Sequence, residues 1–200
     1  MTARSRLDQL NKEQAMRMPT YARKLVPGMP APPFEAETVT GSRWKLGSST
    51  QAKLTLLIFY RGSFCSYCRR NLEDFDAHAR KFADRGVDVV FASADDQGRA
   101  RFAVENWNVN KLRICYGVTT GQMQAWGLYM SAGDGAMKQA AVFSEPGLFL
   151  VKNDMTLLYE VLNSAPFGRP SASDMIAMLD FMESKGSAFP QRGGWLDQKV

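Results

Sequence analysis

Two hundred residues with 45% hydrophobic and 22% charged content suffice for one domain whose core needs no disulfide staples, and they exclude a chain disordered throughout. No apolar run approaches the ~20 residues of a membrane-spanning helix, and the amino terminus has neither an apolar signal core nor an acid-free transit composition, so a cytoplasmic location is expected. The formal charge of +5 is concentrated near that end, where Arg4, Arg6, Lys12, Arg17, Arg23 and Lys24 stand against Asp8 and Glu13.

Residues 1–27 therefore read as a basic arm. They have no aromatic interleaving and no reading motif, so nucleic acid is not an expected partner. Leu7, Leu10, Ala15 and Met18 suit an amphipathic arm that packs on the domain or on a second copy, which is compatible with a homodimer. Gly28 to Pro33 form a rigid extended entry to a domain over 28–185. Phe34–Val39 and Trp44–Leu46 predict a hairpin around Thr40-Gly41-Ser42. Lys53–Tyr60 predicts a strand covered on both faces. Cys68, Leu72, Phe75, Ala79 and Phe82 then recur at helical spacing over 66–85, and Gly86 ends that helix. Val87–Ala94 predicts the next strand of a β–α–β unit, and Asp95 or Asp96 a cap for a helix running to Trp107. A short strand over Leu112–Tyr116 and a helix over Thr120–Tyr129 follow. Leu148–Lys152 and Thr156–Leu162 predict a late hairpin. Ser171 to Asp174 cap a final helix with Met175, Met178, Leu179 and Met182 inward. Residues 186–200 read as a tail that docks through Phe189 and Trp195.

The chemistry concentrates at Cys65-Ser66-Tyr67-Cys68, between the first long strand and its helix. The first N–H groups of a helix have no intrahelical partner and carry partial positive charge, which favours the reactive thiolate over the thiol. In a reducing compartment such a pair is redox-active or metal-binding. Zinc needs about four ligands, and the other candidates are only Cys115 and His78, the latter on the polar side of its helix. No metal is expected, and no Gly-rich phosphate loop implies a nucleotide cofactor. Cys65, before or at the first turn, is the expected exposed nucleophile, and Cys68, on the core-facing stripe, its resolving partner. The helix terminus contributes about 0.3–2 kcal/mol, up to about 1.5 pKa units, and Arg61, Arg69 and Arg70 are placed to add to it. Tyr60, Phe64, Tyr67 and Trp126 are candidates for an aromatic rim. Cys115 reads as core packing, with a distant resolving thiol as its alternative.

The element order is that of the thioredoxin-like folds: α/β in three layers, a central mixed sheet flanked by helices, here with an N-terminal hairpin. Gly28-Met29-Pro30-Ala31-Pro32-Pro33-Phe34, Leu57 through Cys68 and Phe91-Ala92-Ser93-Ala94-Asp95 resemble the peroxiredoxin family (alkyl hydroperoxide reductase/thiol-specific antioxidant), in its CxxC-containing branch. The resemblance puts Cys68 at the peroxidatic position, Arg61 at that of the family's proline seven residues earlier, and Cys65 at that of its Thr or Ser. Asn71 replaces a carboxylate, and Ser144-Glu145-Pro146-Gly147 lacks the family's late arginine. Pro146 resembles instead the cis-proline that thioredoxins set against their CxxC. These departures imply first a thiol–disulfide oxidoreductase that cycles Cys65–Cys68 to reduce protein or small disulfides. The alternative is a thiol peroxidase with Cys68 peroxidatic and Cys65 resolving, and a redox-quiet binding or oligomerisation module is the third reading. The implied partners are a disulfide or hydroperoxide substrate and a thiol reductant such as a thioredoxin or glutathione system, with Arg61, Tyr67, Arg69 and Pro146 tuning the pair or binding substrate.

Overall fold

The computed structural model describes residues 25–49, 51–134, 139–186 and 193–194, so nearly all of the basic arm and of the tail lie outside the described residues. A seven-stranded sheet runs in the order β2-β1-β5-β4-β3-β8-β9. Its centre is parallel: β3 (Leu54–Phe59), β4 (Val87–Ala92) and β5 (Arg113–Tyr116). The crossovers are the helices α1 (Ser66–Ala77) with α2 (Ala79–Ala83), and α3 (Gln97–Asn106). The hairpin β1 (Glu35–Thr38) and β2 (Arg43–Lys45) adds to one edge, and β8 (Gly147–Lys152) with β9 (Leu157–Leu162) to the other, all antiparallel. This is the expected three-layer α/β arrangement with its N-terminal hairpin.

The continuous apolar run of β3 is explained by burial on both faces. Leu56 and Ile58 pack with α1, α3 and α5 (Ala172–Lys185), while Leu57 and Phe59 pack with Phe34 and Trp44 of the hairpin and Trp126 after α4 (Thr120–Ala125). Ser171 caps α5 in a reciprocal capping box with Asp174, as Thr119 caps α4 with Gln122. Among the described residues no helix is long and apolar enough to cross a membrane.

Two elements differ from the sequence expectation. The 66–85 helix breaks at His78, whose ring Nδ1 lies 2.8 Å from the Asp74 carbonyl and whose N–H is shared between Asp74 and Phe75. A second small hairpin, β6 (Met130–Ala132) with β7 (Val142–Ser144), joins α4 to β8. Three-residue strands carry too short an alternation to be read from sequence.

Asp76 is the buried carboxylate that ties α1 to the sheet. One of its oxygens accepts the N–H groups of Asn110, Lys111 and Leu112 at 2.7–3.2 Å. Removing the acceptor leaves three part-buried donors to find water or new partners, so Asp76→Ala is expected to destabilise the fold by about 2 kcal/mol. A lower urea midpoint at unchanged slope is the signature; an unchanged midpoint would show that the loop finds other partners.

Candidate active site

β3 ends at Phe59, and the chain turns through Arg61-Gly62-Ser63-Phe64 into α1. Gly62 is needed here: its φ is +142°, and a Cβ would lie 2.8 Å from Asp95 Oδ1. The buried Asp95 holds the turn by accepting the Ser63 N–H at 2.8 Å and pairs with Arg99 at 3.4 Å. Burial raises its carboxyl above the ordinary value. Asp96, one residue on, is the cap of α3, so the two neighbouring aspartates divide the roles that the sequence left undecided.

Cys65 is itself the N-cap of α1, in extended conformation, and its Sγ accepts the Cys68 N–H at 3.2 Å. A sulfur thus takes the place of the usual capping oxygen. Cys65 and Cys68 are both free thiols, 4% and 0% exposed. The expectation that Cys65 meets solvent is therefore corrected: the capping geometry turns its sulfur inward, into the cluster of Tyr60, Leu72 and Phe75.

The two sulfurs are unequal electrostatically. Cys65 is lowered from 9.0 to about 6, chiefly by the hydrogen bond from the Cys68 thiol, then by the Cys68 N–H and the charges of Arg169 and Arg61, against the cost of burial. That lies further down than a helix terminus alone would bring it. The neighbouring thiol and the arginines make up the difference. Burial, followed by the adjacent Cys65 charge, holds Cys68 well above its ordinary value. The arrangement suits one thiolate and one thiol sharing a proton.

Arg169 was not foreseen. It enters from the segment between β9 and α5, and its Nη1 donates to Cys68 Sγ at 3.6 Å. It stands 101 positions from Cys68, so no local spacing announces it; the only sequence sign is a basic residue in a Pro- and Gly-bearing loop ahead of a helix cap. Arg61 packs against the rings of Phe64 and Phe143, with its guanidinium carbon 5.3 and 5.0 Å from their centroids. Its Nε lies 3.2 Å from the buried Glu145, which also accepts the Ser131 hydroxyl at 2.7 Å. The short hairpin thereby braces the cysteine loop.

The other expected site residues divide. Tyr67 lies beside the pair, under Arg70 at 4.8 Å. Arg69 is engaged by Glu73 one turn on, and it is not among the cations that act most on Cys65. Pro146 lines a small cavity with Ile58, Asn71 and Arg169, but no described peptide bond is cis, so the thioredoxin-like cis-proline is absent there. Of the aromatic rim, Phe64 and Tyr67 flank the turn and Tyr60 is buried beneath it. Trp126 belongs to the opposite face of the sheet, against Phe149. Cys115 also lies on that face, where burial pushes its thiol up to about 12; the intervening sheet separates it from the pair. Among the described residues no cluster of His, Cys, Asp and Glu could hold a metal.

Comparison with known proteins agrees with this geometry. The AhpC/TSA family model matches residues 27–160. Alkyl hydroperoxide reductase C of Helicobacter pylori is 26% identical over 175 residues, 86% of this chain and 85% of that protein. Among solved structures, the reduced 2-Cys peroxiredoxin of Plasmodium vivax superposes with a TM-score of 0.66 at 20% identity, over 91% of this chain and 92% of that one. A peroxiredoxin-like protein from Aquifex aeolicus gives 0.65 at 17% identity, over 81% and 90%.

Proposed function

The chain belongs to the AhpC/TSA family, and from that premise we propose that it is a thiol peroxidase that reduces a hydroperoxide with Cys65 and Cys68. The carrying observation is a sulfur, 4% exposed, that caps α1 and accepts the N–H of a second cysteine one helical turn on, a setting that lowers its pKa. A thiolate at such depth suits a substrate that needs only a narrow passage to present its O–O bond. A protein disulfide would have to displace the cover over both sulfurs. That burial, with the family, weighs toward peroxide over the disulfide exchange expected first.

In the first step the Cys65 thiolate attacks the outer peroxide oxygen and the O–O bond breaks. Cys65 becomes a sulfenic acid, and the departing alkoxide leaves as ROH after taking up one proton. In the second step the Cys68 sulfur attacks Cys65 Sγ, the S–O bond breaks, and water leaves with the Cys68 proton. The sulfurs start from one turn of the same helix, so this step has the advantage of proximity. Two equivalents of an external thiol then reduce the Cys65–Cys68 disulfide. A second reading, in which Cys68 attacks peroxide and Cys65 resolves, is favoured by one observation: Arg169 bonds Cys68 Sγ directly.

Reduced protein mixed with one equivalent of hydrogen peroxide tests the proposal. Expected are consumption of that equivalent far faster than by free cysteine, and a mass lower by two protons that maps to Cys65–Cys68. A rate no faster than free cysteine at the same pH would reject it.

A further inference from the structure

The disulfide formed in this cycle must be reopened, and one groove borders Arg169, the side chain that touches Cys68. Beside α1 lies a groove walled by Tyr67 and Phe167, whose rings meet edge-on at 4.8 Å. Both rings are open to solvent, 41% and 57% exposed, unusual for large apolar side chains next to a buried reactive pair. Arg70 lies over the Tyr67 ring, and Arg169 lines the groove with it. No described carboxylate is ion-paired to either arginine. The acidic residue in the groove, Asp74, is already engaged: it accepts the Ala172 N–H at 2.7 Å and stands 3.4 Å from His78. The groove therefore sets two guanidiniums that no described carboxylate pairs beside apolar walls, and one of them, Arg169, touches Cys68 Sγ.

We propose that this groove admits a small thiol bearing carboxylates, and that its thiolate attacks Cys68 while Arg70 and Arg169 draw its negative groups in. The inference rests on the two-cysteine cycle above and names its reductant class. Once Cys68 is in a disulfide it is a poor acceptor, so Arg169 loses its bond there and is freed to meet the incoming anion. The incoming thiolate forms an S–S bond to Cys68, and the Cys65–Cys68 bond breaks with the electron pair on Cys65. Cys65 can leave as the thiolate because the Cys68 N–H and the charge of Arg61 still meet its sulfur at the helix start. A second thiolate attacks the reductant's sulfur in the mixed disulfide, releasing the oxidised small disulfide and the Cys68 thiolate, which takes up a proton.

The test uses full-length protein oxidised with diamide, so that reduction is measured whether or not peroxide forms the disulfide. Failure of the peroxidase reading would leave peroxide unconsumed in the separate peroxide experiment; failure of this inference appears only here. Reduction rates by glutathione and by its dimethyl ester are compared at equal thiolate concentration. At low salt the rate ratio should favour glutathione by about 10-fold. It should fall to about 2-fold or less in Arg70→Glu, and likewise for unsubstituted protein in 0.5 M NaCl. If Arg70→Glu fails to fold, Arg70→Gln and the salt titration carry the same comparison. A ratio near one in the unsubstituted protein, a ratio indifferent to Arg70 and salt, or a thioredoxin-class dithiol that outpaces millimolar glutathione at micromolar concentration would each overturn the proposal.

Discussion

Cys65→Ser should lower peroxide turnover by about 10³-fold or more, and Cys68→Ser should fail differently. The asymmetry follows from the distribution of charge between the two sulfurs. In Cys65→Ser the remaining Cys68 is fully buried, and burial alone holds its thiol above the ordinary range, so little of it is thiolate at pH 7. In Cys68→Ser the Cys65 sulfur keeps the helix start and the N–H of position 68, and a serine hydroxyl can still donate to it. That variant should consume one equivalent of peroxide at a rate within about tenfold of the unsubstituted protein. It should then stop at a sulfenic acid on Cys65, trappable with dimedone. Stoichiometric consumption by Cys65→Ser, with the dimedone adduct on Cys68, would instead assign the attack to Cys68.

Arg169→Ala is expected to slow the first chemical step by about 10- to 100-fold, with a pH dependence of definite sign. A guanidinium 3.6 Å from Cys68 Sγ contributes to the lowered Cys65 value as well as opposing the raised Cys68 value. Its charge ranks behind the Cys68 thiol and N–H among the groups that lower Cys65, and solvent entering the vacated space returns part of what it contributes. Without the charge, Cys65 titrates at higher pH. Its thiolate fraction is then reduced by the largest factor at and below the native midpoint of about 6, and recovers by pH 8–9. The deficit measured by stopped flow should therefore shrink as pH rises. Arg169→Lys, a cation without the planar fork, should recover part of the rate. A deficit constant across pH 5.5–9 would mean that Arg169 acts through packing alone.

How much of this was legible follows from which residues are neighbours in sequence. The buried strand β3, the CxxC at the start of α1 and the capping box of α5 are local patterns, and each has the predicted place. Local spacing also placed Cys65 at the helix start, since N-cap geometry is a property of four consecutive residues. Accessibility was not local: Cys65 is covered by parts of the chain that its neighbours do not specify, so the expected exposed nucleophile is a buried one. Glu145, which braces Arg61, and Arg169, which touches Cys68, come from loops 84 and 101 positions away. No periodicity connects such residues; only the sheet order, which lays β8 and β9 beside β3, brings them to the site. The resemblance to peroxiredoxins pointed to the family and to the position its missing arginine should occupy. It did not point to a different segment supplying a guanidinium to the same sulfur.

The account depends on Cys65 being a thiolate at neutral pH because the Cys68 thiol and N–H and nearby arginines hold its charge. A pH titration of iodoacetamide alkylation, with modified sites resolved by mass spectrometry, measures this directly. Cys65 should be the first site modified, its rate rising through a midpoint near 6 and reaching a plateau by pH 8, while Cys68 reacts slowly even at pH 9. A Cys65 midpoint at or above 8.5, or earlier modification of Cys68, would contradict the account.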